Sequence, residues 1–112
     1  MKKSEIKVQI ELDEHKVPDQ IKWSAPDQKQ IDQEAKAMLL SFFDKQSRET
    51  LKIDLWTKDM QVVEMDRFFY QTLRSMVDTY FRATSNQNLA REMQKFVQYF
   101  GEQTEVIPKK NQ

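Results

Sequence analysis

Residues 51–73, LKIDLWTKDMQVVEMDRFFYQTL, change period part-way through, and that change decides the fold class. Leu51, Ile53 and Leu55 alternate with Lys52, Asp54 and Trp56, the two-residue repeat of a strand with one dry and one wet face. The rhythm breaks at Thr57, Lys58 and Asp59 and restarts at helical spacing. Val62, Met65, Phe69, Leu73, Met76 and Tyr80 recur in three- and four-residue steps, so a helix is expected from about residues 59–61 to residue 84. Val63, Tyr70, Val77 and Phe81 make a second, adjoining apolar side. A helix this broadly apolar must touch two things, and any side left uncovered would drive assembly into a homo-oligomer.

Upstream, Ile6, Val8, Ile10 and Leu12 share one parity and Glu5, Lys7, Gln9 and Glu11 the other. Ile21, Trp23 and Ala25 alternate with Gln20, Lys22 and Ser24 in the same way. A polar connection at 13–18 joins these two strands, which read as an antiparallel hairpin. After Pro26, with Asp27 as N-cap, the spacing of Ile31, Ala35, Met38, Leu39, Phe42 and Phe43 predicts an amphipathic helix over residues 27–46, with Leu40 outside its stripe. Downstream, Leu89, Met93, Phe96, Val97 and Phe100 predict a last helix. Gly101 stands where a left-handed cap would close it, and 85–88 form the turn before it.

The expected order is therefore β-β-α-β-α-α, an α+β fold. A three-stranded antiparallel sheet is favoured, with strand order 2-1-3 and three helices on one face. Lys7, Glu5 and Glu11 would then pair across the sheet with Lys22, Lys52 and Asp54. The other possible order, 1-2-3, puts a parallel pair at strands 2 and 3. The 112 residues suffice for one domain, expected at 1–101 with a loose tail at 102–112, and such a domain buries about two-thirds of its unfolded surface.

Eighteen basic and eighteen acidic residues cancel, so no global field draws the chain to nucleic acid. The chain has no cysteine, which removes disulfides, thiol nucleophiles and thiolate metal sites and fits a reducing compartment. No run reaches the ~18 apolar residues of a membrane span, so a soluble cytoplasmic protein is expected.

The four carboxylates at Asp54, Asp59, Glu64 and Asp66 invite a chemical reading. Acids near a helix start interact favourably with its dipole, and Asp59 can cap free amides. Glu64 and Asp66 differ by two positions, about 200° around a helix, and cannot converge on one ion. There is no calcium-loop pattern, and His15 has no second histidine to share a metal. A serine triad would need His15 and a nucleophile turn that is absent, and one glycine cannot build a phosphate loop. No enzyme, cofactor or metal is expected. A hydrolase using Asp54 or Asp59 is the weakest of the readings.

What survives is surface. Trp56 has the parity of Lys52 and Asp54, so a regular strand puts its indole on the wet face, as an aromatic anchor of the kind common at binding hot spots, whereas a twist there would make it a cover over the end of the sheet or the first turn of the next helix. With Lys58, Asp59, Met60 and Glu64 the exposed indole makes an amphipathic patch for a protein partner. The alternative is a small-ligand or signal-binding domain, with an apolar pocket between sheet and helices lined by Trp23, Phe42 and Phe69.

The words KKSEIKVQIELDE (2–14), VPDQIKWSA (17–25) and above all LKIDLWTKDMQVVEMDRFFYQTLRSMVDTYFRAT (51–84) closely resemble the gliding-motility-associated GldC family of Bacteroidota. The likeness is weakest over 27–46 and in the tail. It implies a cytoplasmic, non-enzymatic accessory protein linked to the GldB lipoprotein and the gliding and secretion apparatus. It supplies no catalytic or ligand residues.

Overall fold

A computed structural model describes residues 1–109 of the chain. It is α+β, with five strands and two α-helices in two compact units, one from Met1 to Met60 and the other beginning at Gln61.

In the first unit, β1 (Lys7–Leu12) and β2 (Pro18–Ala25) form the expected antiparallel hairpin, with Val8 opposite Trp23 and Ile10 opposite Ile21. The connection is organised by Asp13, whose carboxylate accepts the amide hydrogens of His15 and Val17 at 2.8 and 3.0 Å. Lys16, in the left-handed region at φ 62°, returns its N–H to the Asp13 carbonyl at 2.9 Å. Pro18 opens β2, where a missing N–H is tolerated.

The helix expected over 27–46 does not form. Pro26–Gln28 make a single 3₁₀ turn, closed by Lys29 at φ 60°. The chain then runs through β3 (Gln30–Ala35) and β4 (Ala37–Phe43), and β4 pairs with β5 (Thr50–Trp56). The helical spacing was real but ambiguous, because Ile31 and Ala35, four apart, also share strand parity. Leu40, which the helical stripe left out, fits the strand without strain. Met38, Leu40 and Phe42 lie on one face of β4, opposite Leu55, Ile53 and Leu51. Three apolar cross-strand pairs, each contributing about 0.2–1 kcal/mol, exist only in the hairpin. The polar turn between the strands is fixed by Asp44, whose carboxylate accepts the N–H groups of Gln46 and Ser47 at 3.1 and 2.8 Å. Those donors, Ser47 first, hold the Asp44 carboxyl below its usual range.

The strand order also differs from the expected 2-1-3. The three-stranded sheet is β1-β2-β3, all antiparallel, with β2 in the centre. Residues 51–56 pair with β4 and not with β1, because the two additional strands supply a nearer partner. Lys52 accordingly meets Asp54 of its own strand at 3.3 Å, and the predicted pairing of these two with β1 is not made.

The second unit is a helical hairpin of α1 (Val62–Thr84) and α2 (Gln87–Gln103), two helices where three were expected in the whole chain. Ser85 turns the chain at φ 59°, and the Asn86 side chain accepts the Leu89 N–H at 3.1 Å as the cap of α2. Val77, Ala90 and Val97 are buried between the helices, flanked by Tyr70, Leu73 and Met93. The seam thus combines both apolar sides of α1: Tyr70 and Val77 from one, Leu73 from the other.

Gly101 is not the left-handed cap its position suggested. It is buried inside α2, which continues to Gln103 and is capped at Thr104, while Glu105 takes the left-handed conformation at φ 62°. The Ile107 N–H returns to the Gly101 carbonyl at 3.2 Å. The last tail positions, 110–112, lie outside the described residues.

Candidate functional site

Trp56 is the last residue of β5, opposite Ala37, on the face it shares with Lys52 and Asp54. It is 56% exposed, and Leu51 and Ile53 on the other face of β5 are exposed as well, at 59% and 41%. The chain then turns sharply over residues 57–60, with the Met60 N–H donating to the Thr57 carbonyl at 3.0 Å and Met60 itself half-buried.

Thr57, which the sequence did not single out, anchors this turn and is only 4% exposed. Its N–H donates to the Lys36 carbonyl at 2.8 Å. Its hydroxyl donates to the Asp59 carboxylate, with the Lys36 carbonyl 3.2 Å away. Lys36 is the one residue between β3 and β4, so Thr57 ties β5 to the point where the long strand changes partner. That hydroxyl hydrogen bond is the main cause holding the Asp59 carboxyl below its ordinary range, with the Lys36 ammonium, 4.0 Å away, adding to it. Thr57→Val keeps the shape but removes the donor. It is expected to destabilise the first unit by about 1–3 kcal/mol in urea denaturation, whereas Thr57→Ser should retain most of the stability.

Lys58 is committed as well. Its amide donates to the Pro18 carbonyl at 3.2 Å, and its ammonium lies 3.3 Å from Asp13 and 3.5 Å from Asp19. The hydrogen bond to Asp13, then the charges of Asp19 and Asp13, raise the lysine's pKa. Asp13 is lowered in turn, chiefly by the Val17 N–H and then by His15 and Lys58. Lys58 therefore straps the β1–β2 loop to the end of β5. Nothing local in the sequence announces this, since Asp13 stands 45 positions away.

Glu64 belongs to the second unit. Its carboxylate accepts the Gln61 N–H at 3.0 Å, the reciprocal half of a capping box at the start of α1. Gln61, not Asp59, is the N-cap. The residues proposed as one patch thus divide by role. Trp56 is presented, Met60 sits in the adjoining turn, Lys58 and Asp59 hold that turn, and Glu64 caps a helix.

The arrangement offers little to acid–base chemistry. Asp13, Asp44 and Asp59 are held ionised by donors that define loops, so none is poised to give a proton near neutrality. Among the described residues, no group of three or more His, Asp or Glu side chains is placed to hold a metal ion. An open groove of about 720 Å³ runs along α1 and α2, lined by Gln71, Arg74, Ser75, Asp78 and Gln94 among others. Trp23, Phe42 and Phe69, the aromatics expected to line a ligand pocket, do not line this groove. Trp23 faces Val8 and Gln33 in the three-stranded sheet, Phe42 is 56% exposed opposite Leu51, and Phe69 lies on α1.

No helix among the described residues is long and apolar enough to cross a membrane. No curated protein and no solved structure matches the chain significantly. A family model described as gliding motility-associated protein GldC-like matches residues 18–106, every element from β2 to α2. The chain belongs to this GldC-like family of gliding motility-associated proteins.

Proposed function

We propose that the protein is a non-enzymatic accessory factor of the gliding machinery, working in the cytoplasm by contact with another protein. Family membership supports the link to motility, and the family is described by that process and not by a catalysed reaction. The absence of cysteine fits the reducing compartment. The partner is a component of the gliding apparatus, and the GldB lipoprotein is the one the resemblance implies.

The observation that carries the mode of action is Trp56. A large aromatic, 56% exposed, stands at the end of a strand whose following turn is pinned by Thr57, Lys58 and Asp59. Such an anchor loses little conformational freedom on binding, and buried aromatic anchors dominate interface energies. Met60, soft and adaptable, flanks it.

The test is co-purification of GldB with the tagged protein from gliding cells, comparing wild type with Trp56→Ala. Capture should fall about 30-fold or more, the weight of a hot-spot residue, while the thermal midpoint stays nearly unchanged. A large drop in stability with undiminished capture would show the indole to be a packing residue.

A further inference from the structure

We propose that two copies of this chain pair edge to edge through β1, forming one continuous antiparallel sheet across a two-fold axis. The inference is independent of the motility reading, because β1 precedes the family-matched residues 18–106.

β1 is an outer strand of the order β1-β2-β3, with a hydrogen-bonded neighbour on one side only. All six of its residues are exposed. An uncovered strand edge is a template for another strand, and chains that must stay single usually blunt it with proline, a bulge or a charge pointing to the dry face. β1 has none of these, although charges along an edge, such as its Lys7 and Glu11, also discourage pairing unless the incoming strand answers them. It contains no proline or glycine and alternates cleanly, and the register slip near its end comes from an extra residue, Asp19, on β2. The opposite outer strand is blunted: β3 slips register against β2 between Trp23 and Ala25, and its Asp32 sits at φ 48°.

Charge then selects the occupant of the β1 edge. The strand is basic at its start and acidic at its end, with Lys7 and Glu11 equidistant from Gln9. Neither Lys7 nor Glu11 is in an ion pair among the described residues. An antiparallel second copy centred on Gln9 sets Lys7 against Glu11 of that copy, and the symmetry repeats the pair. On the other face the same register sets Val8 against Ile10 and Ile6 against Leu12. Within Lys7–Leu12, sliding two residues either way sets Lys7 or Glu11 against Gln9 in place of an opposite charge. Within β1 this register alone sets Lys7 against Glu11 and Val8 against Ile10; just outside the strand it brings Glu5 opposite Asp13, whose carboxylate is engaged by its own turn and by Lys58.

The test uses the full chain in sedimentation equilibrium across the micromolar range. Wild type should show a concentration-dependent monomer–dimer equilibrium that weakens with added salt. Lys7→Glu and Glu11→Lys each place like charges opposite one another twice, and each should raise the dimer dissociation constant about tenfold. An equal mixture of the two variants restores opposite charges at both positions and should dimerise like wild type, as should the double variant alone. Both positions are exposed, and far-UV circular dichroism checks that each variant folds. A wild type that stays monomeric, a dimer indifferent to both substitutions, or a mixture that fails to recover would overturn the proposal.

Discussion

Ile21→Ala is expected to destabilise the first unit by about 2–5 kcal/mol, the range for truncating a fully buried isoleucine. Ile21 is 1% exposed and occupies the middle of the central strand, opposite Ile10 of β1 and Ala35 of β3. The substitution removes three carbons from a position where strands on both sides fix the backbone, so little collapse is available to fill the space. The loss should appear as a lower urea midpoint, followed by the fluorescence of the two tryptophans, Trp23 and Trp56, both in the first unit. Ile53→Ala is the control: at 41% exposure in β5 it forfeits less buried area and should cost clearly less. Equal losses at the two positions would mean that the central strand is not where this sheet is held.

Gly101→Ala should destabilise the helical hairpin, although alanine favours a helix over glycine by about 1 kcal/mol. A Cβ at this position would lie 2.6 Å from Cε1 of Tyr70, 2.8 Å from its Cδ1 and 2.9 Å from Cγ1 of Ile107. Crowding on two sides leaves the ring no simple retreat, and such overpacking costs about 1–3 kcal/mol. The net loss, up to about 2 kcal/mol, corresponds to a fall in thermal midpoint of up to several degrees. Tyr70→Leu in the same chain removes the ring, so the double variant should lose less than the sum of the two single losses. Strict additivity would show that the glycine is not required by the tyrosine.

Sequence patterning made some of this architecture legible. The β1–β2 hairpin could be read because polar and apolar residues alternate without exception from Glu5 to Leu12. The long helix could be read because its apolar steps persist over many turns, and acid at Glu64 agrees with its role at the helix start. Residues 27–46 misled because a four-residue step satisfies both periods. Two local signs pointed to strands: Leu40 shares parity with Met38 and Phe42, and Asp44 opens a turn rich in side chains that capture backbone amides. The strand order followed from that one misreading, since without β4 the only available neighbours for residues 51–56 were β1 and β2.

At the candidate site parity left Trp56 between a presented indole and a cover over the end of the sheet. It is 56% exposed, but Leu51, of the opposite parity, is 59% exposed, so alternation alone does not decide exposure in β5. The commitments of Lys58 and Asp59 were not legible either. Lys58 draws its partners from the far end of the unit, and Asp59 depends on a hydroxyl whose burial at Thr57 no local pattern signals. Gly101 was marked correctly as special for a mistaken reason. A glycine near a helix end is more often a turn, and only the approach of Tyr70 distinguishes the two.

The single-residue joint at Lys36 has an evolutionary implication. With β3 and β4 separated by one position, adding or deleting an amino acid there would leave the β4–β5 hairpin paired through its Asp44 turn but would invert its side chains relative to β3 and displace the Lys36 carbonyl from Thr57. The stretch from Gln30 to Phe43 is therefore expected to tolerate changes of composition better than changes of length.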